Sequence, residues 1–187
     1  MSTLYYIDWR LSDETTGCKQ KMQKDDIYYR LRNSVVKDLP REYVEINTST
    51  FKDKAEAFQA ITQIHQIIIG HKARGTKYYC QFGDALAKYK YFFYTKCQEC
   101  CADMNLAIYK AIACSRCIKT SDTKEFFSTV KNITGYSKSH INFMINLGRL
   151  GVKYSKFMLT SLPLGDLKTH FKYILKCIEE DGVFWSA

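Results

Sequence analysis

The sequence predicts a mainly α protein: a multi-helix domain with a helix-turn-helix-like unit and a short extended or β N-terminal portion. Three observations lead there. Only 2 prolines and 9 glycines interrupt 187 residues, too few turn formers for a sandwich of short strands. The chain is 46% apolar and 14% aromatic, which suits a substantial core and argues against disorder over most of its length. From residue 50 onward, apolar side chains recur at helical spacing. The length fits one compact domain, with residues 1–49 a mixed segment packed on a helical body of residues 50–187.

The elements follow in order. "TLYYIDWRL" and "REYVEI" carry aromatic and β-branched residues in short runs, which suits edge strands or extended arms. Between them "KQKMQKDDIYYRLRNSVVKDL" suits a helix that ends before Pro40. "STFKDKAEAFQAITQIHQIII" offers Ser49 and Thr50 as caps and sets Phe58, Ile61, Ile64 and Ile68 along one face. The stretch from Gly70 to Gly75 is its natural stop. Residues 83–117 hold no further Gly or Pro and predict one long helix or two. "SDTKEFFSTVKNI" opens on Ser121 or Asp122 as a cap, with Glu125 a few residues on. Near the end, Leu167, Phe171, Ile174, Leu175 and Ile178 make an amphipathic stripe, Gly182 a C-cap, and "VFW" an anchor that tucks back.

The longest apolar run, "AITQIHQIIIG", contains glutamines and a histidine and falls far short of the roughly 20 residues a membrane span needs. The first residues lack the basic and apolar regions of a signal peptide. The expectation is an intracellular protein, in cytoplasm or nucleus and without a membrane partner, whose eight cysteines are reduced thiols or metal ligands. A net charge of +9 attracts phosphate, whether of nucleic acid or of an anionic surface, or simply keeps the protein soluble.

The segment "VKNITGYSKSHINFMI" supplies the most specific signal. In a helix-turn-helix a glycine permits a sharp turn between two helices, and the second helix lies in the major groove. The first helix would run to Ile133, with Gly135 in the turn and Ser137 capping the second helix through Ile145. Val130, Tyr136, Ile141 and Met144 hold the offsets from the glycine that such a unit buries. "TGYSKSHI" resembles the TG-aliphatic-S-x-S-x-I core of bacterial and phage repressors, and "SHINFMINLGRL" is similar to the start of the ParB-like DNA-binding region. The resemblance covers residues 126–150 only. It implies DNA contact by Ser137, Lys138, Ser139, His140, Asn142 and Asn146, extended electrostatically by Lys153 and Lys156. Asn can bond adenine bidentately, and Lys can reach guanine or phosphate; Ser137 and the helix start suit a backbone phosphate. One position departs: Lys131 stands where the family has a small residue at the helix contact, which should widen the crossing. The same residues also read as a capped turn between two core helices, or as a protein-binding corner.

Cys97, Cys100, Cys114 and Cys117 have the pairwise spacing of a four-cysteine zinc site. Met104, Ile108, Ala111 and Ile112 repeat helically between the pairs, however, and a helix would hold Cys100 and Cys114 roughly 20 Å apart. Structural zinc, buried thiols and redox use are the three readings, with buried thiols favoured on this geometry. No P-loop, nucleophile elbow, zincin or dinucleotide motif is present. In "KYYCQFGDALAKYKYFFYTK", Lys88, Lys90 and Lys96 are expected to face water while Tyr91, Phe92 and Tyr94 help fill the core, or else the stretch stacks single-stranded bases. The reading is a non-enzymatic DNA-binding protein of transcriptional or replicative control, from a virus or mobile element on its AT-rich-style composition, with homodimerisation through the residue 167–178 helix. An all-α accessory protein engaging a protein partner, or an RNA-binding protein, is the alternative.

Overall fold

The computed structural model describes residues 24–35, 50–70, 76–93, 109, 112 and 123–186. Among them are eight α-helices: α1 (Lys24–Asn33), α2 (Lys54–Gly70), α3 (Thr76–Tyr91), α4 (Thr123–Thr134), α5 (Lys138–Lys153), α6 (Leu164–Thr169), α7 (Phe171–Glu180) and α8 (Gly182–Ser186). A 3-10 turn, Ser155–Leu159, follows α5. The predicted mainly helical class is what the described residues show. The two predicted N-terminal extended runs lie outside them, as do Cys97, Cys100, Cys114 and Cys117.

The body is organised on α3 and α5, which share the most extensive contact among the described elements. They meet backbone to backbone. A Cβ added at Gly83 would collide with the Met144 carbonyl oxygen and lie 2.8 Å from the Gly148 nitrogen. One added at Gly148 would run into the Asp84 nitrogen and come within 2.5 Å of the Gly83 carbonyl carbon. A turn further on, Gly151 faces Cys80, whose Cβ would be 2.7 Å from an added carbon. This explains why Gly83 does not begin a helix, as expected from sequence, but sits in the middle of one. Its entropic penalty in a helix, about 1 kcal/mol relative to Ala, is offset by the dispersion contacts of two helices at minimal separation.

The same crossing buries a polar cluster. Lys88 Nζ donates to Asp84 Oδ2 at 2.7 Å, and the Tyr109 hydroxyl donates to Asp84 Oδ1 at 2.8 Å. Lys88 is therefore buried beside its carboxylate, where the sequence pattern sets it facing water. A buried cation must be paired, and Asp84 one turn away on the same helix supplies the pair. Burial, and then the Asp84 charge, holds the Tyr109 hydroxyl well above the usual phenol range.

On the other side of α3, α2 lays down Ala57, Ala60, Ile61, Ile64, His65 and Ile68. The face is thus rotated slightly from the predicted one, and Phe58 sits at its edge against Tyr89, ring centroids 6.2 Å apart. Asp53, not Thr50, caps this helix, Ser49 lying outside the described residues: the Asp53 Oδ1 accepts from the Glu56 N–H at 2.9 Å, while Glu56 Oε2 accepts from the Lys52 N–H. The expected single C-terminal helix is broken at His170 into α6 and α7, and Gly182 opens α8 instead of ending α7. Leu167, Ile174 and Ile178 are fully buried in the chain's own core, so the stripe read as a dimer surface faces inward.

Of "VFW", Phe184 and Trp185 tuck back while Val183 faces solvent. Trp185 is fully buried, and its Nε1 donates to the Tyr28 hydroxyl at 3.0 Å, which in turn donates to Asp181 Oδ2 at 2.9 Å. Burial is the main reason the Tyr28 hydroxyl is pushed up to about 12. Arg32 lies 4.2 Å from the Phe184 ring centroid and 3.4 Å from Asp181, so the C-terminal residues are latched onto α1. No helix among the described residues is long and apolar enough to cross a membrane.

The helix crossing sets a prediction. Gly148→Ala should cost about 3 kcal/mol by overpacking, whereas Gly165→Ala, whose Cβ meets nothing within 4 Å, should be neutral or stabilising by up to about 1 kcal/mol. Urea unfolding of the two variants measures both; similar midpoints would remove the crossing from its central place.

Candidate nucleic-acid interface

The turn between α4 and α5 is three residues long, and each has a defined job. Gly135 takes φ +72°, a conformation that costs other L-residues roughly 1–2 kcal/mol. Its N–H donates to the Lys131 carbonyl at 2.7 Å. Thr134 Oγ1 donates to the Val130 carbonyl and accepts the Tyr136 N–H at 3.1 Å, fastening the chain on either side of the glycine. Ser137 is extended, with φ −70° and ψ 158°, and its side chain accepts from the His140 N–H at 3.3 Å as the N-cap of α5. The predicted glycine turn and serine cap are thus both present.

Val130, Ile141 and Met144 are fully buried and Tyr136 is half-buried, in the pattern read from the offsets. Lys131 resolves differently from its expected place at the helix contact. It is exposed and lines an open cleft of about 370 Å³, together with Phe127, Ser128, Gly135, Tyr136, Ser137 and Lys138. What fixes α4 is instead Phe126, packed against Tyr89 and Phe93 of the α3 end at 5.8 and 5.9 Å. A small residue is not required at position 131 because Lys131 faces solvent and α4 meets both α3 and α5 only lightly.

The corner is basic. Lys138 Nζ lies 4.9 Å from the Phe127 ring centroid and Lys90 Nζ 5.3 Å from the same ring. Cations over an aromatic face are held by its quadrupole. Burial, and then the nearby Lys138 charge, pulls the Lys90 ammonium below its usual range.

Along α5, eight residues from Ile141 to Gly151 are buried; outside them lie the exposed Val152 and a line of polar side chains. Ser139, Asn142, Asn146, Arg149 and Lys153 recur at intervals of three and four, one face of a helix. Ser139, Arg149 and Lys153 are exposed and the two asparagines are partly so. Arg149 is absent from the set the resemblance implies, although the phase of Asn142 and Asn146 points to it.

His140 is on the other side. Its ring packs 4.3 Å from Tyr136 and 6.1 Å from Phe143, and its Nε2 is buried without a hydrogen-bond partner. It leaves the outward set expected from the repressor-like resemblance, because its position along the helix faces the core. Lys156 is also elsewhere: it sits in the 3-10 turn with Nζ 4.6 Å from the Phe184 ring, in the C-terminal latch. Lys138 and Lys153, at opposite ends of α5, are separated by roughly 22 Å of helix. Among the described residues no group of three or more His, Cys, Asp or Glu is placed to hold a metal ion.

Comparison with protein-family models, curated proteins and solved structures finds no match to this chain.

The turn should behave as its geometry requires. Gly135→Ala is expected to cost about 1–2 kcal/mol through φ alone, Gly135→Asn less because Asn tolerates this region, and Ser137→Ala about 1 kcal/mol through the lost cap. Chemical denaturation gives all three; a neutral Gly135→Ala would mean the turn is not held at positive φ in solution.

Proposed function

We propose that this chain binds duplex DNA and acts in transcriptional or replicative control without chemistry of its own. The observation that supports the reading best is the outward line Ser139–Asn142–Asn146–Arg149, carried on a helix with eight buried residues, whose first turn emerges from a basic corner. A helix placed in the major groove needs that combination: side chains that reach base edges on one face and cations that fix its start on the backbone.

In this reading Lys131 and Lys138 meet phosphates at the cleft. The exposed Ser137 hydroxyl and the α5 N-terminus favour the same anion. Asn142 and Asn146 bond adenine edges, and Arg149 bonds guanine or a further phosphate. Lys153 adds long-range attraction from the far end. His140 has no part in base contact, and Lys156 contributes only to the overall field.

Fluorescence anisotropy against duplex DNA across a salt series tests this. Wild type should lose affinity steeply with salt. Lys131→Ala/Lys138→Ala, both at exposed positions, should weaken binding to all sequences and reduce the slope of log K against log salt by about 1 for each phosphate no longer engaged. Asn142→Ala/Asn146→Ala should leave that slope unchanged while eroding preference among sequences, by about 1–3 kcal/mol for each bidentate pair removed. No binding by wild type at low salt would end the DNA reading.

A further inference from the structure

Tyr136, the residue after the turn glycine, touches two histidines from different helices. His65 of α2 lies 5.3 Å away, edge to face, and His140 of α5 lies 4.3 Å away. His65 is only 5% exposed, and both Nε2 atoms are buried with no hydrogen-bond partner. A buried polar atom with nothing to bond is costly and uncommon. Two of them converging on one tyrosine mark a place where the fold keeps imidazoles neutral.

Among the described residues, no carboxylate acts on either ring. Phe82 of α3 stacks 5.9 Å from His65. Burial, and then Tyr136, raises the Tyr79 hydroxyl of α3. His140 meets Phe143 on its own helix and feels the Lys168 ammonium from α6. Asp166, on the same short helix as Lys168, is engaged by Arg30 at 3.3 Å. An imidazolium at His65 would therefore be a buried cation among aromatic rings, and one at His140 a partly buried cation beside a lysine.

We propose that His65 and His140 form a proton-operated latch on the α4–α5 turn: neutral, they hold Tyr136 docked on α2 and α3, and on acidification their protonation releases it. Tyr136 is bonded to Thr134 on one side and followed by the N-cap Ser137 on the other. Its release frees Gly135 to swing and takes the fixed start of α5 with it. Because Lys138 and Ser137 lie at that start, the device regulates the corner assigned above to DNA, and its biological consequence rests on that reading.

The sign follows from the burial. Desolvation lowers the basicity of His65, and desolvation followed by Lys168 lowers that of His140. The released state thus takes up protons first. The docked state has its full stability above the ordinary imidazole value of about 6.5 and loses it as pH falls through the depressed values.

NMR titration of the whole chain from pH 7.5 to 4.5 tests the latch without DNA. The His65 and His140 ring protons should titrate below the ordinary imidazole value, and the Tyr136 ring resonances should shift with the same midpoint. In His65→Phe/His140→Phe the Tyr136 resonances should stay fixed across the range. Should that double variant fail to fold, the wild-type titration still decides. Histidines that titrate at the ordinary value, or a Tyr136 ring that stays unmoved while they titrate, would overturn the proposal. Anisotropy against duplex DNA at pH 7.5 is a separate readout: its failure would remove the nucleic-acid role and leave the titration result standing.

Discussion

The whole fold depends on two helices touching where neither has a side chain. Gly83 of α3 lies against the Met144 carbonyl and the Gly148 nitrogen of α5, and at that separation no methyl group fits. The close crossing lets Cys80 seat under Gly151 and brings Tyr109 to Asp84, whose second oxygen takes Lys88. Burial pushes the Cys80 thiol far above its usual range, with Asp84 adding to the effect, so it packs as an apolar side chain. The buried ion pair is not a stability gain on its own account, since desolvating two charges costs about as much as their attraction returns. It keeps Lys88 and Asp84 together on one helix and, through the Tyr109 hydroxyl, ties that pair to a residue beyond α3.

That crossing also decides what α5 can offer to a partner. A helix pressed this tightly into a core, with Phe143, Ile145, Leu147 and Leu150 covered on its flanks, has one line of polar side chains left over beside the exposed Val152. The line happens to be asparagines, arginine, serine and lysine. Rigidity matters as much as identity here. A side chain bonding a base edge gains most when its backbone is already fixed, and α5 is held by its cap, its glycine contacts and the turn that follows it. The C-terminal latch of Tyr28, Asp181 and Trp185 completes the support by binding α8 to α1 and, through Phe157, to the end of α5, ring centroids of Phe157 and Trp185 lying 6.4 Å apart.

Local chemistry was the legible part of the sequence. Gly135, Ser137 and the buried offsets at Val130, Ile141 and Met144 depend on neighbours within a few residues, and pattern alone located them. The return of Phe184 and Trp185 was legible for a similar reason, since a large apolar cluster after a helix has to go somewhere. Long-range contact was not legible. Nothing adjacent to Gly83 says that it faces a carbonyl in α5, so it reads as a helix start. Lys88 looks solvated because its partner Asp84 gives no sign in sequence of being buried with it. His140 is drawn into the outward set by its place beside Lys138 and Ser139, although helical phase already sets it on the core side with Met144 and Leu147. Lys131 reads as a contact residue on the repressor-like pattern, and the support of α4 by Tyr89 and Phe93 is invisible until the helices are placed.

The central claim is that the outward line of α5 and the corner at its start form one nucleic-acid surface. Its most direct test is backbone amide NMR of the whole chain with and without a short duplex DNA at low salt. The account predicts that shift changes concentrate at Ser137, Lys138, Asn142, Asn146 and Arg149 and leave Tyr28, Asp181 and Trp185 in place. Changes centred on the C-terminal latch, or none along α5 while DNA binds, would contradict it.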